Sequence, residues 1–251
     1  MKKCTVVVAA VVAASSGLAF AQFDAYYDGS QSRLVGGAFD VTWASAGTYD
    51  GVAHSTGDLI GTYGAGSLAY TYDGPGDRGA GQYADGSFNG FCIELQSIAG
   101  GTRTYDVIEI ADAPNPAPGL GGDGYDILDQ IEVKAVVAAA IDLGWINNDL
   151  SASGAVSNGQ LAAIQGMIWT MVFDDAVVTA NYGFVAGYMQ DIQDRIDFME
   201  LNGMGQNVAG LRVMANADSQ DQLYVVPLPP AAFAGLLTLG GLGGFSRLRR
   251  R

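Results

Sequence analysis

The stretch ADAPNPAPGLGGDG, residues 111–124, separates two lengths of chain with different periods. Proline and glycine at that density can continue neither a ladder nor a helix, so the stretch is a loop. Before it, residues 34–110 contain LVGGAFDVTW, SLAYTYD, GFCIELQ and TYDVIEIAD, short runs with glycine recurring between them. These read as strands: in SLAYTYD, Leu68, Tyr70 and Tyr72 alternate with Ala69 and Thr71, and in GFCIELQ, Phe91, Ile93 and Leu95 share one face while Cys92 and Glu94 take the other. After the loop the period lengthens. Ile127, Leu128, Ile131, Ala135 and Ala138 recur at helical spacing between Tyr125 and Leu143. A second helix is expected from Ser157, its N-cap, to Phe173, and a third from Tyr182 to Glu200 with Val185, Tyr188, Met189, Ile192, Ile196 and Met199 along one face. GLRVMA and DQLYVV then return to strand. Strands, helices and strands in that order predict an α+β fold, a β-sandwich or barrel carrying a helical subdomain of about three helices.

Both ends of the chain differ from this body. Residues 1–21 place Lys2 and Lys3 ahead of an apolar run that ends in Ala19-Phe20-Ala21, the pattern of a cleaved signal peptide, so the mature chain is expected to begin near Gln22. Cys4 would leave with that peptide. At the other end Ala231–Phe245 is apolar, shorter than the roughly 20 residues of a preferred spanning helix, and is followed by Arg247, Arg249, Arg250 and Arg251.

The intervening residues 22–225 hold all 26 acidic residues, against Lys134 and five arginines. Nucleic acid is excluded as an expected partner, because phosphate binding needs a basic face. Such acidity favours solubility and attracts cationic or amine-bearing partners. Cys92 is the one cysteine left in this body, so no internal disulfide explains it.

Residues 226–251 resemble a PEP-CTERM sorting signal: Val226-Pro227-Leu228-Pro229-Pro230 stands where a proline motif belongs, followed by a short transmembrane segment and a terminal arginine cluster. The resemblance implies transient anchorage to the cytoplasmic membrane. An exosortase-type enzyme would then remove the tail and release the body to the cell surface or extracellular matrix.

A second resemblance lies within the body. Phe91, Cys92 and Ile93 on a strand, followed by Ile164, Gln165, Met167, Ile168 and Trp169 on a helix, are similar to the cysteine and glutamine motifs of bacterial thioester-domain adhesins, in the same order. Gly166 stands where alanine is commoner, a change that by helix propensity alone costs about 1 kcal/mol. The resemblance implies a Cys92–Gln165 thioester, shielded by Phe91 and Trp169, that attaches the protein covalently to an amine or hydroxyl on a surface protein or glycan. This is one capture per molecule rather than enzymatic turnover, and it needs no cofactor.

Other readings compete with this one. A thiol hydrolase would pair Cys92 with His54, the chain's single histidine. Calcium is the one metal that two acidic loops suggest: GGDGYDILD at 121–129 fits one copy of the glycine and aspartate nonapeptide of β-rolls, which needs adjacent copies to complete its coordination shell, and DGPGDRG at 73–79 offers oxygen ligands without the spacing of a defined site. A non-covalent structural role in a matrix or biofilm requires no bond between Cys92 and Gln165.

Overall fold

The computed structural model describes residues 22–27, 33–49, 51–72, 87–95, 101–114 and 124–226. The expected signal peptide, the sorting signal beyond Val226, the loop at 73–79, and residues 115–123 of the dividing loop lie outside them. The last of these gaps removes the first three residues of the 121–129 loop.

Among the described residues ten strands and three α-helices follow in the order β1 (Gln22–Tyr27), β2 (Arg33–Trp43), β3 (Gly47–Tyr49), β4 (Val52–His54), β5 (Leu59–Tyr72), β6 (Ser87–Cys92), β7 (Thr102–Ile108), α1 (Ile127–Asp142), α2 (Asn158–Val172), β8 (Ala176–Ala180), α3 (Gly183–Leu201), β9 (Leu211–Asn216) and β10 (Ser219–Val225). Eight of the strands form one antiparallel sheet in the order β1-β7-β9-β10-β6-β5-β2-β8, and β1 also pairs with β5. Six strands therefore close into a barrel, while β2 and β8 extend from it as a wing. Of the two β architectures expected, the barrel is the one formed; closure pairs edges that an open sheet would leave exposed.

The barrel is lined with aromatic rings. Tyr70 stacks on Phe88 at 5.5 Å between centroids and meets Tyr105 edge-on at 6.2 Å, while Phe88 meets Tyr224 at 5.3 Å. These contacts span β5, β6, β7 and β10, so they fix which faces point inward. Strand alternation then puts Gly90 and Cys92 inward with Phe88, and Phe91 and Ile93 outward toward the helical layer.

The helices start where their caps dictate. Ser157 Oγ accepts from the Gln160 backbone N–H, and Gln160 Oε1 accepts from the Ser157 N–H at 2.8 Å, a complete capping box at the head of α2. Arg33 of β2 ties that end to the wing, donating to Asn158 Oδ1 at 2.7 Å and to the Val156 carbonyl at 2.9 Å. The face of α1 matches the stripe that the spacing suggests only in part: Ala135 is buried and Ala138 packs half-buried against the core, but Ile127, Leu128 and Ile131 are 61, 59 and 54 % exposed, and Val133, Val136, Val137 and Ala140 complete the buried side. The helix is apolar nearly all round, and its tertiary neighbours choose the face.

Gly166 has a packing reason. A Cβ there would lie 2.3 Å from the ring of Phe39, which in turn meets Trp169 edge-on at 6.0 Å. A glycine lets β2 and α2 approach this closely. Gly166→Ala is therefore expected to destabilise the protein by about 1–3 kcal/mol through overpacking, despite alanine's better helix propensity. Denaturant titration of the two proteins measures the difference.

Candidate functional site

Cys92 ends β6 at a place where the sheet lacks a neighbour. On one side β10 accompanies it, with Gln222 opposite Cys92 and Leu223 opposite Phe91, and the Ile93 N–H donates to the Asp221 carbonyl at 3.2 Å. Successive residues of a strand aim their N–H and C=O to alternate sides, so those of Cys92 face β5. The β5–β6 ladder, however, stops at Leu68 opposite Gly90. Its register would next bring Gly66 to Cys92, and no pairing is made there.

Gln165 of α2 fills that position. Its Oε1 accepts from the Cys92 N–H at 2.7 Å, and its Nε2 donates to the Cys92 carbonyl at 2.6 Å. The side-chain amide thus behaves as a substitute peptide group, completing the sheet from a helix. Gln165 is 0 % exposed and Cys92 4 %, so both hydrogen bonds are made out of water. A buried pair of this kind satisfies groups that would each cost about 1–3 kcal/mol if left unpaired.

The Cys92 side chain rises from the plane of that pairing into the barrel. Its Sγ donates to Gln220 Oε1 at 2.8 Å, and Gln222 Nε2 lies 3.7 Å from it. Gln220 Nε2 donates to the Glu94 carbonyl at 2.7 Å. The Asp221 N–H donates to Glu94 Oε1 at 2.7 Å, and Asp221 Oδ1 accepts from the Asn216 N–H at 2.8 Å. Tyr125, from just before α1, donates its hydroxyl to the Ile93 carbonyl. Gly90 lets the strands meet here, since a Cβ on it would come within 2.7 Å of the Leu223 carbonyl oxygen.

Burial dominates the electrostatics of this cluster. It pushes the Cys92 thiol up to about 12, against a smaller opposing effect of the Gln222 hydrogen bond. Glu94 is raised to about 8 by burial and then by the neighbouring Asp221 charge, and Asp221 to about 7 by burial. At neutral pH the cysteine is a thiol, Glu94 keeps most of its proton and Asp221 is near the midpoint of its titration, where exposed carboxyls would have lost theirs.

The other residues singled out from the sequence surround the pair. Phe91, Ile93, Ile164, Ile168 and Trp169 are all buried, and Trp169 packs between Phe39 and Tyr63, with Met167 buried beside it. Among the described residues the buried Trp169 indole N–H has no hydrogen-bond partner. His54 sits elsewhere in contact terms: its ring stacks on Trp43 at 3.8 Å in the β3–β4 ribbon, and the hydrogen bonds of Cys92 go to Gln165, Gln220 and Gln222. Among the described residues no group of three or more histidine, cysteine or acidic side chains is placed to hold a metal ion. No helix among them is long and apolar enough to cross a membrane.

Gln220, Gln222, Glu94 and Asp221 are the site residues that motif reading misses. The run Ser219-Gln220-Asp221-Gln222, four polar residues opening a strand that is buried throughout, is the signal that could have found them. No family model matches the chain, and no curated protein or solved structure matches it significantly.

Proposed function

We propose that this protein is exported, sorted through its C-terminal signal by an exosortase-type enzyme, and displayed as a surface or matrix adhesin that attaches covalently through a thioester between Cys92 and Gln165. The observation that carries the reading is the pairing of the Gln165 amide with both backbone groups of a buried cysteine. The Cys92 N–H bonded to Gln165 Oε1 is placed to stabilise the negative charge that develops on that oxygen under attack. The sulfur belongs to a side chain rising from the plane of the amide, the side from which a nucleophile reaches a planar carbonyl carbon.

The atoms balance without a co-reactant. Sulfur bonds to the Gln165 carbonyl carbon, the carbon–nitrogen bond breaks, and the thiol proton leaves with that nitrogen as ammonia. Closure exchanges the Nε2 hydrogen bond for a covalent one. Later an amine or hydroxyl on a surface protein or glycan takes the acyl group, and Cys92 becomes a thiol again. Because burial holds the thiol near 12, closure depends on proximity rather than on a standing thiolate.

A second reading follows from the same hydrogen bonds. Gln165 bonds the backbone of Cys92 while the thiol bonds Gln220, an arrangement that also serves a non-covalent matrix protein in which Gln165 only completes the sheet. Intact mass separates the two. The covalent reading expects the purified protein to lack the mass of one ammonia relative to its sequence, Cys92→Ala to keep it, and methylamine to add to Gln165. Full mass with a titratable thiol leaves only the structural role.

A further inference from the structure

The thiol is held by two amides whose orientations are fixed independently of the sulfur. Gln220 Nε2 is committed to the Glu94 carbonyl at 2.7 Å, so Oε1 must face Cys92 at 2.8 Å. An amide oxygen only accepts, and the sulfur must therefore supply the hydrogen. Gln222 Nε2 donates to the Gln220 carbonyl at 3.3 Å and to Gln220 Oε1 at 3.2 Å, with Sγ 3.7 Å away. Reversing the Gln222 amide would set two acceptor oxygens against each other.

We propose that Gln220 and Gln222 are the positioning residues of thioester closure, holding the Cys92 sulfur with its hydrogen turned into the barrel and its free electron pair available to the Gln165 amide. The assignment rests on the thioester reading above. It accounts for two polar side chains facing an aromatic barrel interior, where each costs free energy unless it is bonded. It also accounts for Gln222 retaining an unpaired, fully buried Oε1, because the residue is held there for its N–H groups. Neither glutamine keeps a proton: the thiol hydrogen, held against Gln220 Oε1 beforehand, gives up that hydrogen bond as the sulfur–carbon bond forms and passes to the departing amide nitrogen, which leaves as ammonia. Gln222 additionally favours the ionised sulfur as closure begins, since a donor stabilises the charged form.

The test follows ammonia loss by intact mass after the reduced, full-length chain is diluted from denaturant, over a range of pH, in the parent, Gln220→Met and Gln222→Met. Each substitution is expected to slow closure by about 10- to 100-fold, the effect of releasing a reacting atom from its approach geometry. Gln222→Met is also expected to move the alkaline rise of the closure rate to higher pH, a shift that a purely packing role would not produce. Melting temperatures show that the variants fold; should Gln220→Met not fold, Gln222→Met carries the same test. Folded variants that close at the parent's rate overturn the positioning assignment and leave the thioester standing. A folded parent that never loses ammonia overturns both.

Discussion

Replacing Gln165 with methionine is expected to destabilise the protein by about 2–5 kcal/mol, far more than an unpaired glutamine on a helix would cost when removed. Methionine has similar length, suits a helix and fills an apolar space, so neither propensity nor a cavity accounts for that loss. What disappears is the amide that pairs with the Cys92 N–H and carbonyl at 2.7 and 2.6 Å. Both backbone groups are then buried without a partner, because β5 has already turned away from β6. Cys92→Ala is the informative companion. It keeps the backbone pairing intact and removes only the thiol, so its cost should be small beside that of Gln165→Met. Denaturant unfolding of the parent and the two variants, all prepared before any closure, measures the contrast. Equal losses would mean that the sulfur and its glutamine neighbours, rather than the substitute peptide, hold the end of β6.

That contrast also marks how far the sequence could be read. The cap at Ser157 and the length of α2 were legible because a capping box is local: Ser157 and Gln160 are three residues apart, and the helix that follows runs Asn158–Val172 against an expectation ending at Phe173. The residues of the two motifs are local in the same way, Phe91 and Cys92 on β6 with Ile93 just past its end, and Ile164 to Trp169 on α2. Their pairing through the backbone is not local, since it depends on where the β5–β6 ladder stops. Of the expected α1 stripe Ala135 is buried while Ile127, Leu128 and Ile131 are not, because alanine and valine occur around most of the helix and packing against α2 and α3 rather than the period selects Val133 and Val136. Strand β8, AVVTA, is five residues between two helices and carries no alternation strong enough to announce itself. Gln220 and Gln222 reach Cys92 only through the β6–β10 register, a relation across about 130 residues that no local pattern encodes.

The second large effect is a loss of stability with rising pH. Glu94 and Asp221 are joined by the Asp221 N–H bond to Glu94 Oε1, and both are almost completely buried, 3 and 1 % exposed. Among the described residues Asp221 Oδ2 has no hydrogen-bond partner. Burial, and for Glu94 the adjacent Asp221 charge as well, raises the folded-state values to about 8 and about 7, from 4.5 and 3.8. The folded protein therefore binds protons that the unfolded chain has already released, and the sign follows: the stabilisation is complete below the unfolded values and is lost as pH climbs through the folded ones. Between about pH 4.5 and pH 8 Glu94 alone is expected to withdraw on the order of 3–5 kcal/mol, at about 1.4 kcal/mol per unit of displacement. Glu94→Gln preserves an oxygen to accept from the Asp221 N–H and cannot ionise. At pH 5 it should melt close to the parent, and at pH 9 well above it, with the slope that remains belonging to Asp221. Parallel melting curves for parent and variant across that range would instead place the Glu94 carboxyl in water. Gln220 links the Glu94 backbone carbonyl to the Cys92 sulfur, and the Glu94 charge raises the thiol further, so ionisation of this pair acts on the same few residues that hold the thiol.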